Sequence, residues 1–209
     1  MKEKTNSSFT MCILLLISFP EINETIPEGP FSYPGQNPRE IITIDPSNAP
    51  LLNEATQNLK DRLEKNILQN TLQFVREELF DIMNCDDETV WALIDQNSEG
   101  NPEPEIPLEV FLKEKVGVCR HIALTTTYLI DHLIKKEILT GEVFLIREQT
   151  PFGRHAWTLL LTEEGAWHLD AYWGILENGR TDEGFSKLCR KYGTRVMERQ
   201  KQRWAHEEN

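Results

Sequence analysis

The sequence predicts an α+β fold: a central helix headed by a cysteine, packed on an antiparallel sheet, with further helices before and after it. Three observations predict this. Apolar residues recur at helical spacing through residues 51–83 and again after Cys119. From Val143 the pattern changes to short, continuous apolar runs separated by turns, as in buried strands. After Gly174 the helical pattern returns, in residues 184–192 and 194–205.

Taken in order, the chain begins with an apolar run at residues 11–19 (MCILLLISF), preceded by Lys2 and Lys4. This has the outline of a signal peptide. It departs from one in two ways: Glu3 offsets part of the charge, and no small-x-small cleavage site follows. The run is too short to cross a bilayer as a helix, so no integral membrane span is expected. The alternative is an apolar segment that docks on the domain. Cytoplasmic location is favoured over secreted, and the compartment stays open. Residues 21–50 carry Pro27, Pro30, Pro34, Pro38, Pro46 and Pro50, which rules out a helix and suggests an extended linker. A short strand is expected at Ile41-Ile42-Thr43-Ile44.

Leu52, Ala55, Leu59, Leu63, Ile67, Phe74, Leu79 and Met83 predict one long helix, or two with a break near Asn70. Ser47 or Asn48 would cap it and Pro50 would sit in its first turn. Residues 86–97 predict another helix, and 98–107 (SEGNPEPEIP) a loop. Pro107 then opens a short helix over residues 108–113. Cys119 starts the central helix, which ends before Gly141. Residues 143–146, 155–161 and 167–171 predict three strands, the last two joined by a turn at Glu163-Glu164-Gly165. A polar loop is expected from Gly174 to Asp182.

The net charge of −12 argues against a general nucleic-acid binder, which needs a basic face. From Arg180 onward eight Lys/Arg stand against five Asp/Glu, as on a solvated helix face. The cysteines (Cys12, Cys85, Cys119 and Cys189) are far apart, which fits neither a disulfide scaffold nor a zinc site.

The chemistry concentrates between Gly117 and Gly174. Cys119 is followed 36 positions on by His155 (155 − 119), and Asp170 lies 15 positions beyond that (170 − 155). These are the residue types of a thiol nucleophile, its base and the group that orients the base. A helix start favours the thiolate through its unpaired N–H groups and partial positive charge. The Cys119 N–H would contribute to an oxyanion hole. Each residue alone has an ordinary explanation: a packed thiol, a structural histidine, a turn aspartate. Their order, and the strand–turn–strand link between His155 and Asp170, favour a triad. His121 would point away from Cys119 on a helix. His168, two residues from Asp170 on one strand, is the reserve candidate for the base. Cys85 and Cys189 fall in expected helices and read as packing residues.

Three motifs carry a resemblance: Gly117-Val118-Cys119-Arg120-His121-Ile122-Ala123, then His155-Ala156-Trp157, then Trp167-His168-Leu169-Asp170. Together they resemble the transglutaminase-like superfamily of papain-type fold, over roughly residues 108–174. The resemblance implies a papain/transglutaminase-like core within a domain over 51–209. It also implies that Cys119 is the nucleophile, His155 the base and Asp170 its orienting partner. The expected function is a cysteine-dependent amide-bond enzyme: a peptidase, amidase or acyl transferase working through a thioester. Its substrate would be a peptide or protein amide, and no metal or organic cofactor is called for. The family often carries an acidic or aromatic residue where His121 stands, which bears on substrate choice. No residue before Gly117 clearly supplies a further oxyanion donor; Trp91 and Gln96 stay unassigned. Two alternatives remain. One is a catalytically silent binding module of the same fold. The other is an arylamine N-acetyltransferase-like acyl transferase, although Lys115-Val116-Gly117 and Arg120 depart from that family's pattern. Oligomeric state is left open.

Overall fold

The computed structural model describes residues 40–45, 48–63, 68–101 and 104–206. The apolar run at 11–19 and most of the proline-rich stretch lie outside them. The class is α+β, as the change of apolar period predicts.

Seven helices are described: α1 (Pro50–Arg62), α2 (Leu68–Ile82), α3 (Asp87–Ser98), α4 (Leu108–Lys113), α5 (Cys119–Lys135), α6 (Asp182–Tyr192) and α7 (Thr194–His206). Eight strands accompany them: β1 (Ile41–Thr43), β2 (Asn84–Cys85), β3 (Glu105–Pro107), β4 (Val116–Gly117), β5 (Glu142–Thr150), β6 (Gly153–Thr162), β7 (Gly165–Asp170) and β8 (Ile175–Asn178). The last four form one antiparallel sheet in the order β5-β6-β7-β8. The first four make two small parallel pairs, β1 with β3 and β2 with β4.

The sheet is covered on both faces, which explains why β6 reads as a continuous apolar run rather than an alternating one. Leu160 and Leu169 face one core, filled by α1, α2, α4 and α5. Trp157, Leu159, Leu161 and Ile175 face the other, closed by Leu188 and Tyr192 of α6 and by Val196, Met197 and Trp204 of α7. Three consecutive buried or half-buried threonines of α5 leave no hydroxyl unpaired. Thr125, Thr126 and Thr127 each donate to the carbonyl four residues back, and Thr127 meets Thr158 of β6 at 2.9 Å.

Several expectations are refined. The pattern over 51–83 is described as two helices, α1 ending at Arg62 and α2 beginning at Leu68, and Asn70 lies inside α2 rather than at a break. The residue before α1 is Ala49, with no side-chain cap; Pro50, whose missing N–H costs nothing there, opens the helix instead. Asp86 caps α3, accepting from the Thr89 N–H at 3.1 Å. The loop after α3 contains β3, which pairs with β1 through Ile106 and Ile42. The expected polar loop after Gly174 contains β8, held by antiparallel pairing to β7 from Asp170–Ile175 to Trp167–Asn178. Its sequence, Ile-Leu-Glu-Asn, lacks the alternation that would mark a strand. Cys85 lies not in a helix but in β2, where it is exposed. No described helix is long and apolar enough to cross a membrane.

Candidate active site

Cys119 is the first residue of α5, so its N–H is among the helix-start donors without an intrahelical partner. The lead-in is tight. A Cβ at Gly117 would fall 2.2 Å from Met83 Sδ, so a side chain there would displace the junction between α2 and β4. His121 pins the helix start. Its Nδ1 accepts the Val118 N–H at 3.2 Å, as the third helical residue does in a capping box. That leaves Nε2 to donate, and it lies 3.2 Å from Glu40 Oε1. Glu40 also pairs with Arg120 Nε. Burial pushes the Glu40 carboxyl up, but the hydrogen bonds from His121 and Arg120 outweigh it and hold it below its ordinary value. His121 therefore serves the helix start, through Val118 and Glu40.

His155 stands near the start of β6 and Asp170 at the end of β7. The ladder pairs Thr158 with Leu169, so one step further Asp170 faces Trp157 and reaches His155 diagonally. The two meet at 2.6 Å between His155 Nε2 and Asp170 Oδ2, both buried. The imidazole's other nitrogen, Nδ1, is left for Cys119, with which His155 is hydrogen-bonded. The Ala156 N–H donates to the same sulfur. The three residues expected from the sequence thus form one connected constellation.

The electrostatics favour a thiolate beside an imidazolium. Burial pushes the Cys119 thiol up; the His155 hydrogen bond and charge, the Ala156 N–H and the Arg120 charge outweigh it, and the net is a lowered pKa. Burial pushes His155 down, but the hydrogen bond to Asp170 and then that to Cys119 raise it to about 9.

Two supporting residues carried no sequence signal. Tyr192, at the end of α6 and fully buried, donates its hydroxyl to Asp170 Oδ2 at 2.9 Å. Burial and the Asp170 charge hold that phenol well above its usual pKa, so it stays a donor. Trp173 donates its backbone N–H to Asp170 Oδ1 at 3.1 Å. Its ring stacks on His155 with centroids 3.7 Å apart at 12°. Arg76 of α2 donates to the Gly174 carbonyl and ties that loop down.

The reserve candidates fall elsewhere. His168 is fully buried; its Nδ1 accepts from Trp157 Nε1 at 2.9 Å, and burial pushes its pKa to about 3. It is built into the second core beside Trp204. Trp91, on α3, takes the Arg120 guanidinium over its ring at 5.3 Å. Gln96 lies exposed further along α3. Cys189 packs against the second core. A cavity of about 270 Å³ lined by Gly179, Phe185, Lys201 and Trp204 contains none of the three residues.

No family model matches the chain, and no curated protein matches it. Among solved structures it is similar to one titled "Crystal structure of a TGase", at 11% identity and a TM-score of 0.45, over 70% of this chain and 37% of that one. A likeness so remote assigns no activity, and the chain spans little more than a third of that protein's length.

Proposed function

We propose that the protein is a cysteine-dependent amide-bond enzyme with a transglutaminase-like, papain-type core. The domain would comprise residues 51–209, with the strand and Glu40 just before it as an added brace. The observation that carries the reading is one imidazole set between two partners: His155 Nε2 bonds Asp170 Oδ2 at 2.6 Å, and the Cys119 thiol bears on the same ring.

In this scheme the Cys119 thiolate attacks the amide carbonyl carbon, and the negative charge moves to the oxygen, beside the Cys119 N–H. The C–N bond then breaks as His155 gives its Nδ1 proton to the departing amine or ammonia. A thioester on Cys119 remains. Water, deprotonated by His155, completes hydrolysis or deamidation; an amine in its place completes transfer. Asp170 keeps the imidazole in the tautomer and orientation that both steps require.

The test is turnover of a mixed peptide pool. Ammonia release and new peptide N-termini are read separately, with intact-mass detection of acylated protein. Product formation is expected to fall on the order of 10³-fold or more in Cys119→Ala and in His155→Ala. Wild-type turnover in Cys119→Ala would sink the mechanism. A Cys119 that labels like an ordinary thiol would favour the non-catalytic binding module.

A further inference from the structure

The most exposed large apolar side chain among the described residues is Phe152, 72% exposed at the tip of the hairpin joining β5 to β6. Isolated surface phenylalanines are common and need no function. Phe152 differs in being fixed and in where it is fixed. The hairpin loop has only two residues between Thr150 and Gly153, which pair across it. The Thr150 hydroxyl donates to the Gly153 carbonyl at 2.9 Å and accepts the Phe152 N–H at 3.2 Å. Pro151 borders Gly193, the junction of α6 and α7: a Cβ there would meet the proline ring at 3.1 Å. The Phe152 ring stands edge-on to Trp173, centroids 6.0 Å apart at 86°. Trp173 in turn stacks on His155. A solvent-facing phenylalanine is thus held one ring away from the imidazole.

The chemistry says which half of a substrate meets it. The group that protonates the departing amine must face that amine, so the amine half of the amide lies on the His155 side. That side is walled by Trp173 and Phe152. On the other flank Arg120 is engaged with Glu40 and Trp91. We propose that Phe152, with Trp173, forms a subsite for an apolar or aromatic side chain on the amine half of the substrate. The preferred substrate is then a peptide amide followed by such a residue, or an aromatic amine as acyl acceptor. This rests on the assignment of Cys119 as nucleophile.

The experiment separates the two claims. p-Nitrophenyl acetate is used to acylate the full chain, and the nitrophenolate burst is read in wild type and Cys119→Ala. Absence of a burst, or a burst that survives in Cys119→Ala, overturns the nucleophile and with it the subsite. With the burst in hand, the acyl-enzyme is partitioned between phenylalaninamide and glycinamide. The same amine site serves the forward and reverse directions, so acceptor preference reports it. In wild type, phenylalaninamide is expected to be preferred about tenfold, as an aromatic contact with partial burial gives. In Phe152→Ser that ratio is expected to fall to about one. The ratio is taken within each protein, so changes in acylation rate cancel, and the exposed position keeps the substitution out of the core. No preference in wild type, or an equal preference in both proteins, overturns the subsite while leaving the nucleophile standing.

Discussion

Replacing Asp170 by Asn removes a charge while keeping the side chain's shape and an oxygen for Tyr192. Its largest effect should fall on His155. That imidazole is raised from 6.5 to about 9 against the opposing effect of burial. Of the two partners that raise it, Asp170 outweighs Cys119. Asp170 therefore accounts for the larger share of the rise, on the order of one pH unit. The sign follows from the charge: a carboxylate beside the ring favours the imidazolium, so its removal makes His155 easier to deprotonate. The assay is the rate of iodoacetamide labelling at Cys119, resolved by peptide mass, from pH 4 to pH 10. In wild type the paired thiolate gives a labelling plateau whose upper edge is the loss of the imidazolium proton, at about 9. In Asp170→Asn that edge is expected to move down by about one pH unit or more. The lower edge should move up, because a weaker imidazolium stabilises the thiolate less. An upper edge that stays near 9 in the variant would refute the claim that Asp170 sets the charge state of His155.

Two further perturbations bear on the same region. Tyr192→Phe keeps the ring that stacks on Trp157 at 4.2 Å and removes only the hydroxyl bonded to Asp170. Chemical denaturation should show a loss of about 1 kcal/mol, and the labelling profile of Cys119 should change shape, which packing alone would not cause. His168→Gln tests the buried histidine. A folded pKa of about 3 against 6.5 unfolded means that stability is full above pH 6.5 and falls as pH drops toward 3. Between pH 7 and pH 5 that is about 2 kcal/mol of unfolding free energy, and the variant should show a correspondingly shallower acid slope.

The class of the fold was legible because both apolar periods are long and the change between them is sharp. Leu52 to Met83 and Tyr128 to Leu133 read as helix, while Val143-Phe144-Leu145-Ile146 and His155 to Leu161 read as strand. The short parallel pairs were not legible. Asn84-Cys85 and Val116-Gly117 are two residues each, too short for any period, and they form only because the helices beside them bring the backbones together. β8 was hidden for a related reason: its Glu177 and Asn178 look like loop, and pairing to β7 overrides the composition. Cys119, His155 and Asp170 could be named from their order along the chain and from Gly117 and Trp157, two positions from the cysteine and the histidine. That His155 and Asp170 lie close was legible from the strand–turn–strand link between them; the register, in which Asp170 reaches His155 diagonally rather than as its partner in the ladder, was not.

Tyr192 shows why the C-terminal helices matter to the site although their sequence looks like solvated amphipathic packing. Asp170 Oδ2 serves two donors at once, His155 and Tyr192, from elements 22 residues or less away in sequence. A carboxylate oxygen buried with a single partner would be free to rotate toward others. With Tyr192 on one side and the Trp173 N–H on its second oxygen, Asp170 has one arrangement that satisfies all its donors. Tyr192 can hold that position only if α6 is held against the sheet. Leu188 of the same helix is fully buried there, and Arg199 and Gln200 of α7 donate to Glu148 of β5 at 2.9 and 3.0 Å. The second core, which contributes no reacting atom, therefore fixes the imidazole through one phenol. A substitution such as Leu188→Ala, far from any substrate, should then disturb the Cys119 labelling profile as well as stability, by loosening the helix that carries Tyr192.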